Sequence, residues 1–190
     1  MDAGGKRTMI IRNIEIRRLP LRPSFIELRK LKGKAPLRIA EIGVHLGENA
    51  AIICRNFKIE KLYLIDPYLS YFEYKDFGLS GNVLAADLQN AKREAHKKLD
   101  CYSFVQFIEK KSADAAKEIP SNSLDIIYID GNHTYDFVDE EINLYLPKLK
   151  KGGILAGHNW DRFGVIDAVC AHFSREQIHV NTNDWWVVKA

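Results

Sequence analysis

Residues 38–57, RIAEIGVHLGENAAIICRNF, join an apolar run to an amphipathic one through a turn that holds two glycines. Glu41 lies near the end of the apolar run, and Gly43 and Gly47 bracket the turn. The pattern predicts a strand followed by a helix, the repeating unit of an open parallel α/β sheet. Ligands of such sheets bind beyond the strand ends, where glycines let the main chain approach them closely. The stretch therefore predicts a nucleotide-type ligand site.

The charge around this turn indicates which ligand suits it. A dinucleotide site needs G-x-G-x-x-G to hold a pyrophosphate, but only GVHLG is present. A pyrophosphate would also face the carboxylates of Glu41 and Glu48, so a nicotinamide-dependent oxidoreductase is disfavoured. S-adenosylmethionine has no phosphate and carries an ammonium and a sulfonium, which acidic neighbours stabilise. We expect that cofactor.

A second acidic residue supports this expectation. Asp66 closes the apolar run KLYLID, where a carboxylate can accept hydrogen bonds from both hydroxyls of a ribose. The alternative is that Gly43 and Gly47 are ordinary turn glycines and that the acids are helix-start charges favoured by the helix dipole.

Strand and helix patterns alternate along the chain, which predicts a βαβ series. Strands are predicted at 37–42, 61–65, 103–108, 124–129, 153–156, 177–181 and 185–189. Helices are predicted at 24–31, 48–55, 82–99, 113–118, 135–146 and 165–173. The last two strands form a hairpin-like ending, whose Trp185 and Trp186 are expected in the core or at the edge of a homodimer.

Length and composition favour a single globular unit. The chain has 190 residues, 46% of them hydrophobic, and no apolar run of the length that a spanning helix needs. No signal peptide is recognised, so we expect a cytoplasmic protein. Three cysteines lie singly, which disfavours disulfide or zinc frameworks, and they are predicted to be small buried residues.

Positive charge is concentrated at the N-terminus. Residues 1–38 hold 11 lysines and arginines against 3 acids, whereas the remainder holds 17 against 22. We divide the chain into a basic leader with a helix, 1–36, and a domain over 37–190. The leader is either a nucleic-acid contact or a solvated arm. The aromatic segment 67–81 is predicted either to cover a substrate or to pack the next helix.

Three blocks resemble a known family. AEIGVHLGENA (40–50), LYLIDPY (62–68) and DIIYIDGNHTYDFVDEEINLYLPKLKKGGILAGHNWD (125–161) are similar to the small class I S-adenosylmethionine-dependent methyltransferases of methyltransferase family 24. The likeness covers roughly residues 37 to 175. It implies a Rossmann-like α/β fold: a mostly parallel seven-stranded sheet, helices on both faces and a C-terminal antiparallel hairpin.

The resemblance also implies roles for individual residues. Glu41, Gly43 and Gly47 would surround the methionine part of the cofactor, and Asp66 would hold its ribose. The adenine would be flanked by Tyr68, Ser112, Ala113 and Asp114. Ser112 and Asp114 are equally explained as residues that begin a helix.

Asp130 ends the fourth predicted strand, beside the place where the methyl group would emerge, and we expect it to be catalytic and to contact the cofactor. His133 follows three residues later, and an imidazole can accept a hydroxyl proton at neutral pH. A structural role for His133 is the alternative. Asp130, His158 and Asn159 resemble the magnesium site of catechol O-methyltransferases, although only one of the three is a carboxylate.

The expected function is therefore S-adenosylmethionine-dependent O-methylation of a small-molecule hydroxyl, with Mg²⁺ as a possible second cofactor. Two alternatives remain open at this point. The basic leader would suit an RNA methyltransferase, and the two non-acidic residues at 158 and 159 would suit a module that binds the cofactor without chemistry.

Overall fold

The computed structural model describes residues 20–69 and 81–190, with side chains from 85 onward in the second range. Within this part of the chain seven strands form one sheet of order β3-β2-β1-β4-β5-β7-β6. The strands are β1 Leu37–Ile42, β2 Ile59–Ile65, β3 Val105–Ile108, β4 Leu124–Ile129, β5 Leu149–Gly157, β6 His179–Asn181 and β7 Asp184–Val188. Strands β1 to β5 are parallel, and β7 is antiparallel to both β5 and β6. The predicted fold class is confirmed.

Helices cover both faces of the sheet. They are α1 Pro23–Lys32, α2 Glu48–Asn56, α3 Gly81–Leu99, α4 Ser112–Ala115, α5 Tyr135–Tyr145 and α6 Phe163–His172. One apolar core lies between the sheet and α4, α5 and α6, and the other lies between the sheet and α1, α2 and α3. Strand β4 is buried along its whole length, as a central parallel strand with two covered faces must be.

Strand β5 begins four residues earlier than predicted. Lys150, Lys151 and Gly152 precede the predicted strand and have a composition typical of a turn. The structure instead takes them into the strand, with Gly152 at φ +67 and an irregular register against β4. Pairing with neighbouring strands, which a local pattern does not report, decides this element.

Helix α1 belongs to the core although it lies in the predicted basic leader. Phe25 and Leu28 are fully buried, and the main-chain N–H of Ser24 donates to Oδ2 of Asp184 at 3.0 Å. Trp185 is fully buried, which places it in the core.

The three cysteines are more exposed than the sequence predicts. Cys101 and Cys170 are exposed and Cys54 is half-buried, so the prediction of buried cysteines is wrong.

Residues 1–19 and the aromatic residues Tyr71, Phe72, Tyr74 and Phe77 lie outside the described ranges. None of the described helices is both long and apolar enough to cross a bilayer.

Candidate active site

The loop after β1 lies directly against the end of β4. Gly43 has φ +84, and a Cβ built on it would lie 2.2 Å from the main-chain oxygen of Asp130. Gly47 immediately precedes α2 and has the left-handed conformation, at φ +70. Glycine is required at position 43 by contact as well as by conformation, since no side chain fits between the two loops.

Glu41 is a buried carboxyl with an unused oxygen. It is 1% exposed, its Oε1 accepts a hydrogen bond from Asn49 Nδ2 at 3.3 Å, and its Oε2 has no partner among the described residues. Burial raises the pKa of Glu41 to about 8, against the lowering effect of Asn49. A positively charged partner would stabilise the ionised form of this carboxyl.

Asp66 fixes the loop after β1. Its Oδ2 accepts hydrogen bonds from the main-chain N–H groups of Val44 and His45 at 3.0 and 2.9 Å, and its Oδ1 accepts one from Tyr68 N–H at 2.8 Å. A carboxylate oxygen has two lone pairs, so Oδ2 is fully used, whereas Oδ1 can still accept one more hydrogen bond. The side chain lies on a cavity wall with that capacity of Oδ1 free.

Two cavities meet above Gly43. The first, of about 220 Å³, is lined by Asp66, Ser112 and Glu141, and we call it the inner cavity. The second, of about 310 Å³, is lined by Glu41, Asn49 and Arg22, and we call it the outer cavity. Gly43, His45 and Asp130 line both. A ligand that is apolar at one end and charged at the other can therefore extend through both.

Asp130 stands at this junction among nitrogen groups. Its Oδ1 lies 3.7 Å from both His133 Nε2 and His158 Nδ1, and its Oδ2 lies 3.8 Å from Arg22 Nη2. Burial alone would raise the pKa of Asp130, but the contacts with His133 and His158 and the charges of His158 and Arg22 outweigh it and hold the pKa below its usual value. The carboxyl is therefore ionised at neutral pH.

The two imidazoles also share an amide. Asn159 Oδ1 lies 2.5 Å from His133 Nε2 and 3.0 Å from His158 Nδ1. Asn159 itself has φ +59, a conformation that asparagine tolerates better than most residues. The structure thus brings together Asp130, His133, His158 and Asn159 from two neighbouring strand ends.

Comparison with known proteins identifies the family of the chain. The methyltransferase family 24 model, described as a methyltransferase domain, matches residues 40–160. The chain belongs to this family of S-adenosylmethionine-dependent methyltransferases. An uncharacterized protein of Acanthamoeba polyphaga mimivirus, R132, is 31% identical over 126 residues, which are 64% of this chain and 51% of that protein. The chain thus matches about half the length of this relative.

Solved methyltransferases share the fold. The O-methyltransferase NovP superposes with a TM-score of 0.62 at 16% identity, covering 87% of this chain and 78% of NovP. CalS11, a TDP-rhamnose 3'-O-methyltransferase of calicheamicin biosynthesis, gives 0.56 at 15% identity, covering 88% and 81%. At these identities the likeness is one of fold alone.

The cavities fit the family's cofactor at both ends. Among the described residues, Oε2 of Glu41 has no partner and can pair with the ammonium of S-adenosylmethionine, and Oδ1 of Asp66 retains a lone pair for a ribose hydroxyl. The absence of a side chain at Gly43 lets the loop after β1 approach the main chain of Asp130. The predicted roles of Glu41, Gly43 and Asp66 remain predictions that this geometry supports. The role of Gly47 receives no such support, because Gly47 lines neither cavity and a Cβ built on it would meet Leu99 and Ala95 of α3.

Three other predicted adenine contacts receive no such support. Tyr68 is 2% exposed and packs in the core on the α2 and α3 side, while its neighbours Pro67 and Leu69 line the inner cavity. Asp114 is exposed and paired with Lys117 at 2.7 Å. Ala113 does not line the inner cavity either, whereas Ser112 does.

The predicted metal ligands do not fit Mg²⁺ as they lie. Asp130 is their single carboxylate, and the Asn159 oxygen already faces two imidazole nitrogens. No group of three histidine, cysteine, aspartate or glutamate side chains suited to a metal ion occurs among the described residues. Hard divalent cations prefer several oxygen ligands, which this cluster does not offer.

Sequence reasoning missed two site residues. Arg22 precedes α1 and reaches Asp130, more than a hundred residues away along the chain. Glu141 lies in α5, is 3% exposed and lines the inner cavity. In the sequence, Glu141 is a glutamate beside Ile142 in a predicted helix. Such a residue looks like a surface position until the helix is placed on the sheet.

Proposed function

We propose that this protein transfers the methyl group of S-adenosylmethionine to a hydroxyl oxygen of a small molecule. The observation that carries the proposal is the ionised carboxylate of Asp130, shared by both cavities and flanked by two imidazoles. NovP and CalS11, which share the fold, are both O-methyltransferases, and this favours the same reaction class.

In this proposal the two cavities divide the cofactor between them. The outer cavity would receive the amino acid end, whose ammonium would pair with Glu41, and Oδ1 of Asp66 in the inner cavity would accept a hydrogen bond from a ribose hydroxyl. When bound, the cofactor supplies a methyl group on a positively charged sulfur. Asp130 stands where the two ends meet, so an acceptor hydroxyl that contacts it lies beside that methyl group.

The protein must also remove one proton. Nε2 of His133 faces two oxygen acceptors, Asn159 Oδ1 and Asp130 Oδ1, so in the neutral ring this nitrogen bears the hydrogen and Nδ1 is the basic atom. An acceptor hydroxyl that is methylated would lose its proton to Nδ1 of His133. Asp130 then stabilises the imidazolium.

Positioning contributes more than basicity to such a transfer. Alignment of two reactants lowers a barrier by roughly 7–11 kcal/mol, whereas general-base assistance gives roughly 10²- to 10⁴-fold in rate. We therefore expect the His133→Ala variant to keep its cofactor affinity and to lose about 10²-fold or more of its turnover.

The test is methyl transfer from labelled S-adenosylmethionine to catechols, sugars and polyketide-like alcohols, with affinity for S-adenosylhomocysteine measured by calorimetry. His179→Ala is the matched control, because His179 is exposed and stacks on Trp186 outside both cavities. Undiminished turnover of His133→Ala would reject its role as base. Binding of the cofactor without transfer to any acceptor would favour a module without chemistry.

A magnesium ion held by Asp130, His158 and Asn159 stays a prediction, and the donor set argues against it. We expect turnover in the presence of EDTA to equal turnover with added Mg²⁺. A strict requirement for Mg²⁺ would show that these side chains rearrange when substrate binds.

A further inference from the structure

The inner cavity is lined in part by a buried carboxyl group that the proposed reaction does not use. Glu141 is 3% exposed, and its Oε2 has no hydrogen-bond partner among the described residues. Its Oε1 lies 3.7 Å from the position of a Cβ built on Gly131, immediately after Asp130. The carboxyl therefore lies close to the loop that follows β4, in the cavity that Glu41 does not line.

The walls around Glu141 suit a flat, largely apolar ring. Ile42, Ile65, Pro67, Leu88 and Phe137 line the same cavity. Ser112, Glu141 and Asp66 supply polar groups to the same cavity. Because a carboxylate at Asp66 suits a ribose, the base attached to that ribose would enter the apolar part.

We infer that the carboxyl group of Glu141 recognises the adenine of the cofactor by donating a hydrogen bond to one of its ring nitrogens. The inference rests on the proposed S-adenosylmethionine site. It adds a residue that selects the base, beyond the residues that hold the ribose and the amino acid.

The protonation state that this contact needs is the one that burial favours. Ring nitrogens of neutral adenine accept hydrogen bonds, so a carboxylate cannot bond to them but a carboxylic acid can. Burial raises the pKa of Glu141 to about 8, against a lowering contact with Ser112. At pH 7 the group is therefore mostly an acid with an O–H to donate.

A structural role alone does not account for the unused oxygen. A buried polar atom without a partner destabilises a protein, and a leucine or methionine here would avoid that cost. A glutamate whose second oxygen has no partner among the described residues is explained when a ligand supplies that partner.

The experiment measures affinity of the full chain for S-adenosylhomocysteine and for its 1-deaza, 3-deaza and 7-deaza analogues, in each of which a C–H replaces one ring nitrogen. Wild type should bind one analogue about 5- to 10-fold more weakly than the parent compound. In Glu141→Met and Glu141→Leu that difference should vanish, while Glu141→Gln should keep it, because the amide N–H replaces the acid O–H. Two apolar variants are used so that one that fails to fold does not remove the test.

Equal analogue penalties in wild type and in both apolar variants would overturn the inference and leave the proposed function intact. Failure of wild type to bind S-adenosylhomocysteine at all would overturn both. Calorimetry distinguishes these results without any knowledge of the methyl acceptor.

Discussion

At Gly43 the main chain of one loop lies against that of another, with no space for a methyl group. The residue also has φ +84, which L side chains rarely adopt. These two constraints are separable, because Gly152 has φ +67 with nothing within 4 Å of its would-be Cβ. The chain thus contains its own control for the conformational cost of substitution.

Gly43→Ala should destabilise the protein by at least about 3 kcal/mol and abolish cofactor binding, because the loops after β1 and β4 must separate. Gly152→Ala should cost about 1–2 kcal/mol, the strain alone. Urea unfolding and S-adenosylhomocysteine titration measure both effects. Equal losses in the two variants would show that contact with Asp130 does not constrain Gly43.

Glu41→Gln should weaken S-adenosylhomocysteine binding at least about 10-fold without loss of stability, because the ammonium of the ligand stabilises an ionised carboxylate at Glu41, which the neutral amide cannot provide. Glu48→Gln is the control: Glu48 lines the same outer cavity but is exposed, so less than about a twofold change is expected. Unchanged affinity of Glu41→Gln in calorimetry would refute the assignment of the ammonium to Glu41.

At the scale of elements, helix α1 and strand β7 are joined through one buried carboxylate. Asp184 is 1% exposed and accepts hydrogen bonds from Ser24 N–H at 3.0 Å and from the Tyr128 hydroxyl at 2.5 Å. It thereby links α1, β4 and β7. Because α1 follows Arg22, this contact also positions the guanidinium that faces Asp130.

Asp184→Ala should lower the free energy of unfolding by about 3–5 kcal/mol, because two buried donors lose their acceptor. Asp167→Ala, at an exposed position of α6, should change it by no more than about 0.5 kcal/mol. Chemical denaturation of both variants tests this. A loss at Asp184 no larger than that at Asp167 would mean that α1 is held by its apolar contacts alone.

The type of most elements followed from local patterns, because apolar periodicity is a property of neighbouring residues. The predicted bounds of β1 and β4 agree with the structure, and α2 and α3 differ by one residue at one end. The start of β5 did not follow from a local pattern, because its first residues belong to the strand only through pairing with β4.

At the scale of the whole molecule, two buried acids make stability depend on pH. Burial raises the pKa of both Glu41 and Glu141 to about 8, far above the value each takes in an unfolded chain. The folded state then binds more protons than the unfolded state between these values. Stability from these groups is full below their ordinary pKa and is lost as pH rises toward 8.

The free energy of unfolding of wild type should therefore fall by several kcal/mol between pH 5 and pH 8. The double variant Glu41→Gln, Glu141→Gln should show a much smaller fall, as measured by urea denaturation at both values. Asp130, with a lowered pKa, contributes in the opposite sense, and its share is lost only in more acidic solution. Parallel pH profiles for the two proteins would contradict this account.

The sequence by itself determined the fold class and the family and predicted the four residues of the β1 and β2 ends, because each depends on a contiguous pattern of glycines, acids and apolar residues. The tertiary structure alone decided that Arg22 and Glu141 line the two cavities and that Asp114 faces solvent. These are matters of which distant side chains meet and which are buried. Burial and long-range contact are set by how helices pack on the sheet, and no local pattern contains that information.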